Sequence, residues 1–297
     1  MPPPPRSDHR SWSLTAHLLA SQQPLYKSAT QHPFLLAGAE GRLSKKALSR
    51  WLATDRLYLH SYIRGAGRLL ASLDFPTHVP QSGEGQAFET RLADWLIEAL
   101  VAIRREERLF VEVSERYGLG LEIAVPFPPS AAGAAATITS GNGTTAQDND
   151  EFTGLTMMRS IFSSVGSGPL TTSAAAAAPT NPPPPLPWLE GALTFWGTER
   201  CYLDAWTFAA ERAGERSEDA QDADGGALRK EFIPNWSADG FREFVEKLGV
   251  LIDDAVGKVL EAKEGEEAER VKAEILARVE GKWKTLLEAE RAFWPDV

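Results

Sequence analysis

The chain has 297 residues, 43% of them hydrophobic, and a formal net charge of −10 from 31 Lys+Arg against 41 Asp+Glu. That is enough apolar content for a real core, and the wrong sign of charge for a general binder of nucleic acid or of anionic membranes. A single cysteine, Cys201, excludes an intrachain disulfide framework and any cysteine-based metal site.

The opening residues, MPPPPRSDHR, lack the apolar stretch of a secretory signal. No window approaches the roughly 18 uninterrupted apolar residues of a membrane helix. A cytoplasmic, membrane-free protein is the expectation. Residues 1–10 read as a disordered tail, and 11–297 as a single helical domain.

From Trp12 to about Ala29, Leu14, His17, Leu18, Leu25 and Tyr26 recur at helical spacing, with Pro24 as a candidate kink. His32-Pro33-Phe34 ends that run, and Gly38 and Gly41 mark a turn. Ser44 is a good N-cap for a helix through Leu48, Trp51, Asp55, Tyr58, Tyr62 and Ile63 to about Leu73, with a break in the middle allowed. The next helix spans about Gln86 to Tyr117, with Leu92, Leu96, Leu100, Ile103, Glu107 and Phe110 in its repeat, and Gly118 closes it.

Residues 125–150 and 164–187 are rich in Ala, Gly, Ser, Thr and Pro and read as low-complexity insertions. Between them Phe152–Phe162 is a short helical island. A strong helix covers Leu186 to about Arg212, and 213–230 reads as an acidic loop. Ser237 starts a helix through Ile252, and the last helix spans about 266–294. No segment shows period-two alternation, so the fold class is all-α, a multi-helical bundle of about seven or eight helices.

Three helix faces combine a carboxylate with aromatic side chains. Asp55, Tyr58 and Tyr62 lie at i, i+3 and i+7 in DRLYLHSY. Glu199, Tyr202 and Trp206 repeat that spacing in TERCYLDAW, with Trp196 one turn earlier. Glu290, Phe293 and Trp294 close the last helix. Aromatic faces beside acids suit a flat basic heterocycle: the rings stack on it and the carboxylates hold its amino and ring nitrogens. The alternative is core aromatics beside solvated or paired acids. A carboxyl desolvated among rings has a raised pKa, which suits proton transfer near neutral pH.

Other chemistries are less well supplied. His9, His17, His32, His60 and His78 form none of the Glu-x-x-His pairs of di-iron bundles. His17 and His32 are positional candidates for a haem ligand, against structural roles. Cys201 is turned about 100° per residue away from the Glu199 face, which argues against a nucleophile. There is no Gly-rich phosphate loop and no Gly-x-Ser-x-Gly elbow.

The run Leu25-Tyr26, His32-Pro33-Phe34-Leu35, Gly41-Arg-Leu43-Ser44, Trp51-Leu52, Asp55-Arg-Leu-Tyr58-Leu59 and Tyr62 resembles the opening of the thiaminase II (TenA) family. Glu290-Arg-Ala-Phe293-Trp294 resembles that family's C-terminal Glu-x-x-Phe-Trp ending. The segment Trp196–Trp206 resembles fungal-type relatives. The resemblance implies a haem-oxygenase-like fold and hydrolysis of aminopyrimidines from thiamine breakdown, in thiamine salvage, with no metal or organic cofactor. It assigns Asp55 to the pyrimidine's amino group and ring nitrogen, Tyr58 and Tyr62 to the pocket wall, and Glu290 to proton transfer. Phe293 and Trp294 come with the closing motif. Glu199 and Tyr202 are candidates through their helix face alone. The resemblance also implies a homo-oligomer, dimer or tetramer.

One departure stands out. Many family members carry a nucleophilic cysteine near a tyrosine on a mid-chain helix. The island Phe152–Phe162, read as its counterpart, has neither residue type. This places the chain with a cysteine-less branch that uses acids, with Glu199 as substitute, or with relatives that hold a planar heterocycle without turning it over. A redox bundle holding haem or two metals is the third reading.

Overall fold

The computed structural model describes residues 12–77, 85–122, 152–166, 184–214 and 221–297. All regular structure among them is helical, in ten α-helices and one π-helical turn. Counting the first two as one interrupted run, and setting aside a single-turn helix, leaves eight. The expected tail at 1–10 and insertion at 125–150 lie outside the described residues, as do 167–183 of the second insertion.

The first expected helix is two: α1 (Leu14–Ala20) and α2 (Gln23–Thr30). The break is at Gln22, which adopts a left-handed backbone (φ 51). Pro24 sits harmlessly in the first turn of α2, where no donor is missed. The same rule corrects the reading of Pro33. It opens α3 (Pro33–Ala39) rather than only ending a run, and His32 caps it by accepting the Phe34 N–H on Nδ1 at 3.2 Å. Gly38 is therefore helical, and the turn belongs to Gly41 (φ 66).

Ser44 caps α4 (Lys45–Ala71), which runs unbroken, accepting the Ala47 N–H at 3.2 Å. Its buried face carries Leu48, Trp51, Leu52, Asp55, Leu59, Tyr62 and Leu69 at helical spacing. The helix α5 (Phe88–Tyr117) ends at left-handed Gly118. The island forms α6 (Thr153–Ser164), packed between α4 and the last helix. Gly154 permits that docking, because a Cβ there would lie 2.4 Å from the Ala292 carbonyl oxygen and from the Phe293 nitrogen.

The centre is α7 (Leu189–Ala213), apolar around most of its circumference and packed on α2, α3 and the last helices. The supposed acidic loop is structured beyond residue 220. Asp224 is buried and accepts the N–H groups of Gly226 and Leu228, each at 2.8 Å. The chain then enters a π-helical turn, Leu228–Phe232, and a one-turn helix, α8 (Ile233–Trp236). Ser237 closes α8 instead of starting the next helix, bonding the Ile233 carbonyl at 2.8 Å. Two long helices, α9 (Asp239–Glu261) and α10 (Glu266–Phe293), complete the bundle.

Trp51 is the hub of the aromatic core. Its ring lies 5.4 Å from Phe34 and from Trp206, and 5.7 Å from Trp236 and Trp294. The stack joins α3, α4, α7, α8 and the end of α10, and it forms the floor under the carboxylates described next.

Candidate active site

The three helix faces singled out in the sequence converge. Asp55 on α4, Glu199 on α7 and Glu290 on α10 are all buried, at 1%, 8% and 5% exposure. The Tyr202 hydroxyl donates to Asp55 Oδ2 at 3.1 Å, joining α7 to α4. Tyr58 packs on Phe293 with ring centroids 5.6 Å apart and on Phe162 at 5.5 Å, so α4, α6 and α10 meet there. Tyr62 lies edge-on to Phe195 at 4.8 Å.

Electrostatics ties the carboxylates into one group. Burial, with the neighbouring Glu199 charge, pushes the Asp55 carboxyl up to about 7, and the Tyr202 hydrogen bond tempers the rise. Burial likewise pushes Glu199 up to about 7. Glu290 rises well above the carboxylate range through burial and the fields of Asp55 and Glu199. No lysine, arginine or histidine contributes to any of these shifts.

Two polar atoms aimed at this group are unsatisfied. Asp55 Oδ1 is buried with no hydrogen-bond partner among the described residues, and the buried Tyr62 hydroxyl faces Glu199, whose rise it tempers, without a well-formed hydrogen bond. A buried polar atom left alone costs on the order of 1–3 kcal/mol, so native proteins keep such atoms chiefly where something else completes them. Tyr58 and Tyr202 are half-buried, and they supply the accessible surface of the cluster.

A fourth carboxylate belongs to the group and was missed. Glu106 on α5 accepts the Trp236 indole N–H on Oε1 at 2.9 Å. Burial and the charges of Asp55 and Glu199 raise its pKa well above the usual range. The sequence reading put Glu107 in the helical repeat instead. Glu107 is half-buried too, but on a different face, where it pairs with Arg56 at 3.2 Å and His60 at 3.0 Å. The signal was present: Ala99, Ile103, Glu106, Phe110 and Val113 are the true repeat, and a charged residue among core positions is informative.

The remaining candidates fall elsewhere. Trp294 backs the site from below: it stacks on Trp51 and Phe34 and donates its indole N–H to the Ala29 carbonyl at 2.7 Å. Trp206 joins the same floor, 4.5 Å from Trp236. Trp196 packs on Trp283, at 5.7 Å. Cys201 is buried, and burial with the Glu290 charge pushes its thiol well up, so it is held as the thiol. His17 pairs with Glu280 at 2.9 Å, and His32 caps α3; His9 and His78 lie outside the described residues. Among the described residues no group of three or more His, Cys, Asp or Glu is arranged to hold a metal, and no helix is long and apolar enough to cross a membrane.

A separate cavity of about 250 Å³ opens between α6, α7 and α10, lined by Ser160, Leu193, Thr194, Lys282 and Trp283 among others. It holds none of the clustered acids.

Comparison with known proteins follows the same line. Residues 19–74 match the TENA/THI-4/PQQC family. A probable transcription factor of Fusarium pseudograminearum is 24% identical over 283 residues. The match takes in 85% of this chain and 48% of that relative, so the chain spans about half the relative's length. A solved TenA homologue from Pyrococcus furiosus is similar over 94% of this chain and 97% of its own, with TM-score 0.55 and 20% identity. A TenA family transcription regulator from a Silicibacter species is similar over 94% of both chains, with TM-score 0.57 and 16% identity. At such identities the solved structures establish the fold, which is that of TenA homologues. The sequence match to the TENA/THI-4/PQQC family thus takes in α4 and the Asp55 face, and the fold is shared with TenA homologues over 94% of the chain.

Proposed function

We propose that the chain binds an aminopyrimidine in the acid and aromatic cluster and replaces its leaving amine by water. The observation that carries this reading is the Asp55–Tyr202 pair. One carboxylate oxygen is held by the tyrosine and the other, Oδ1, is buried and unsatisfied. A carboxyl pushed up to about 7 can accept from an exocyclic amino group and share a proton with a ring nitrogen. The rings of Tyr58 and Phe293 would bound the flat ligand.

The two glutamates divide the proton work. Glu290, held well above the carboxylate range by burial and its acid neighbours, is the group that gives its proton to the departing amine. Glu199, at about 7, is partly ionised there and takes a proton from the attacking water. One carbon–nitrogen bond breaks, one carbon–oxygen bond forms, and the water's second proton stays on the product hydroxyl. No cysteine is used, in keeping with the buried thiol of Cys201. Thiamine salvage and a cytoplasmic setting accompany this reading. So does the expected homo-oligomer.

The roles are tested by the pH profile of turnover on 4-amino-5-aminomethyl-2-methylpyrimidine. The rate should rise through about pH 7 as Glu199 ionises and fall at higher pH as Glu290 loses its proton. Glu290→Gln should remove turnover while binding persists. Full turnover in Glu290→Gln would end this assignment.

A second reading is a pocket that binds without turnover, and the absence of a thiolate in the cluster favours it. Two relatives are named as transcription regulators. For this chain a net charge of −10 speaks against direct contact with DNA.

A further inference from the structure

Glu106 has no part in the scheme above, yet it is built into the site. The indole that holds it belongs to α8, delivered by the π-helical turn Leu228–Phe232; such turns recur at functional sites. The Trp236 ring lies 4.5 Å from Trp206, 5.3 Å from Tyr202 and 5.7 Å from Trp51. Tyr202, in the same stack, holds Asp55. One aromatic block therefore fixes two carboxylates from two different helices, each by a single hydrogen bond to a single oxygen.

Both carboxylates keep an oxygen in reserve. Asp55 Oδ1 is buried without a partner. Glu106 uses Oε1 for the indole and remains half-buried, so it borders the accessible space of the cluster. Outside the cluster, buried carboxylates have both oxygens or their charge answered: Asp224 takes two backbone N–H groups, and the Asp222 side chain pairs with Arg229 at 2.9 Å. Here the hydrogen-bond donors are one phenol and one indole, and among the described residues no base bears on either carboxyl. A ligand with one basic edge would satisfy Asp55 and leave Glu106 bordering it uncompensated.

We propose that Glu106 is a second ligand anchor, taking a basic amino or aminomethyl substituent of the heterocycle while Asp55 takes the ring edge. This rests on the aminopyrimidine reading and adds its selectivity: the site favours a pyrimidine with a second basic group over the same ring bearing a methyl there.

The test is calorimetric binding of 4-amino-5-aminomethyl-2-methylpyrimidine and of 4-amino-2,5-dimethylpyrimidine to the full chain. Wild type should prefer the aminomethyl compound by roughly tenfold or more, the range of one charge-assisted hydrogen bond. Glu106→Gln should bring the two within about twofold by weakening the aminomethyl compound alone, whereas Asp55→Asn should weaken both. Equal weakening of both compounds in Glu106→Gln would make Glu106 a support for Asp55 and overturn the proposal. So would an unchanged preference. If Glu106→Gln fails to fold by near-ultraviolet dichroism, Trp236→Phe reads the same ratio, and a wild-type ratio there overturns the proposal. Binding of neither compound to wild type would instead remove the aminopyrimidine reading, and this inference with it.

Discussion

The Tyr202 hydroxyl reaches Asp55 Oδ2 at 3.1 Å across 147 residues of sequence. It links α4 to the central helix α7, and it leaves Oδ1 free. Removing the charge while keeping the shape isolates that oxygen. Asp55→Asn should weaken aminopyrimidine binding by about 2 kcal/mol or more, roughly thirtyfold, with the Tyr202 contact largely kept. Its melting temperature at pH 8 should equal or exceed that of wild type, because a buried carboxylate short of partners is removed. Calorimetric titration with thermal unfolding checks both.

The raised carboxyls make the empty protein sensitive to pH in a definite direction. Asp55 binds its proton more tightly folded (about 7) than at its ordinary value of 3.8. Its contribution to stability is therefore full below about pH 4 and is lost as pH rises through about 7. Glu199, also at about 7, adds in the same direction. The melting temperature of the ligand-free protein should fall by roughly 5 °C between pH 5.5 and 8.5. Asp55→Asn with Glu199→Gln should flatten that slope. A slope unchanged in the double variant would assign it to the general surface charge.

Tyr62 is a cleaner probe of function than of folding. Its ring is fully buried, and its hydroxyl faces Glu199 without a well-formed hydrogen bond among the described residues. Tyr62→Phe should change stability by less than about 1 kcal/mol. Turnover of the aminomethyl pyrimidine by Tyr62→Phe should drop by about tenfold or more.

Cys201 is predicted to be dispensable. Cys201→Ala should leave turnover within about twofold, under roughly 0.5 kcal/mol in the barrier. The native protein should resist thiol alkylation, since the group is buried and its pKa is raised.

Gly154 tests the support of the site from outside it. A methyl there meets the backbone of Ala292 and Phe293, which cannot move without shifting the end of α10 next to Glu290. Gly154→Ala should cost about 1–3 kcal/mol of stability and reduce turnover in parallel, read by denaturant unfolding beside the activity assay.

Much of this site was legible one helix at a time. The i, i+3, i+7 spacing of Asp55, Tyr58 and Tyr62, and of Glu199, Tyr202 and Trp206, needs only helix geometry. That these faces meet is a tertiary fact, and it became readable only through the family resemblance. Glu106 was lost by a phase error of one residue, about 100° on α5. The choice between Glu106 and Glu107 turns on which neighbours, Ile103 and Phe110 or Arg104 and His60, the helix presents inward. Pro33 carried its own signal as a first-turn proline but was read through the older rule that the residue before proline leaves the helix. The π-helical turn at Leu228–Phe232 is flanked by buried Asp224 and by Phe232 and Trp236 packed on Phe110, and that packing with α5 is not local in sequence. The acidic composition of that stretch pointed instead to a loop.

The most direct measurement is product formation from 4-amino-5-aminomethyl-2-methylpyrimidine by the chelator-treated wild-type protein, with Asp55→Asn beside it. Formation of the hydroxymethyl pyrimidine and ammonia by wild type, lost in the variant at unchanged fold, is the predicted result. No product and no ligand-dependent thermal stabilisation in the wild type, or equal turnover by Asp55→Asn, would contradict the account.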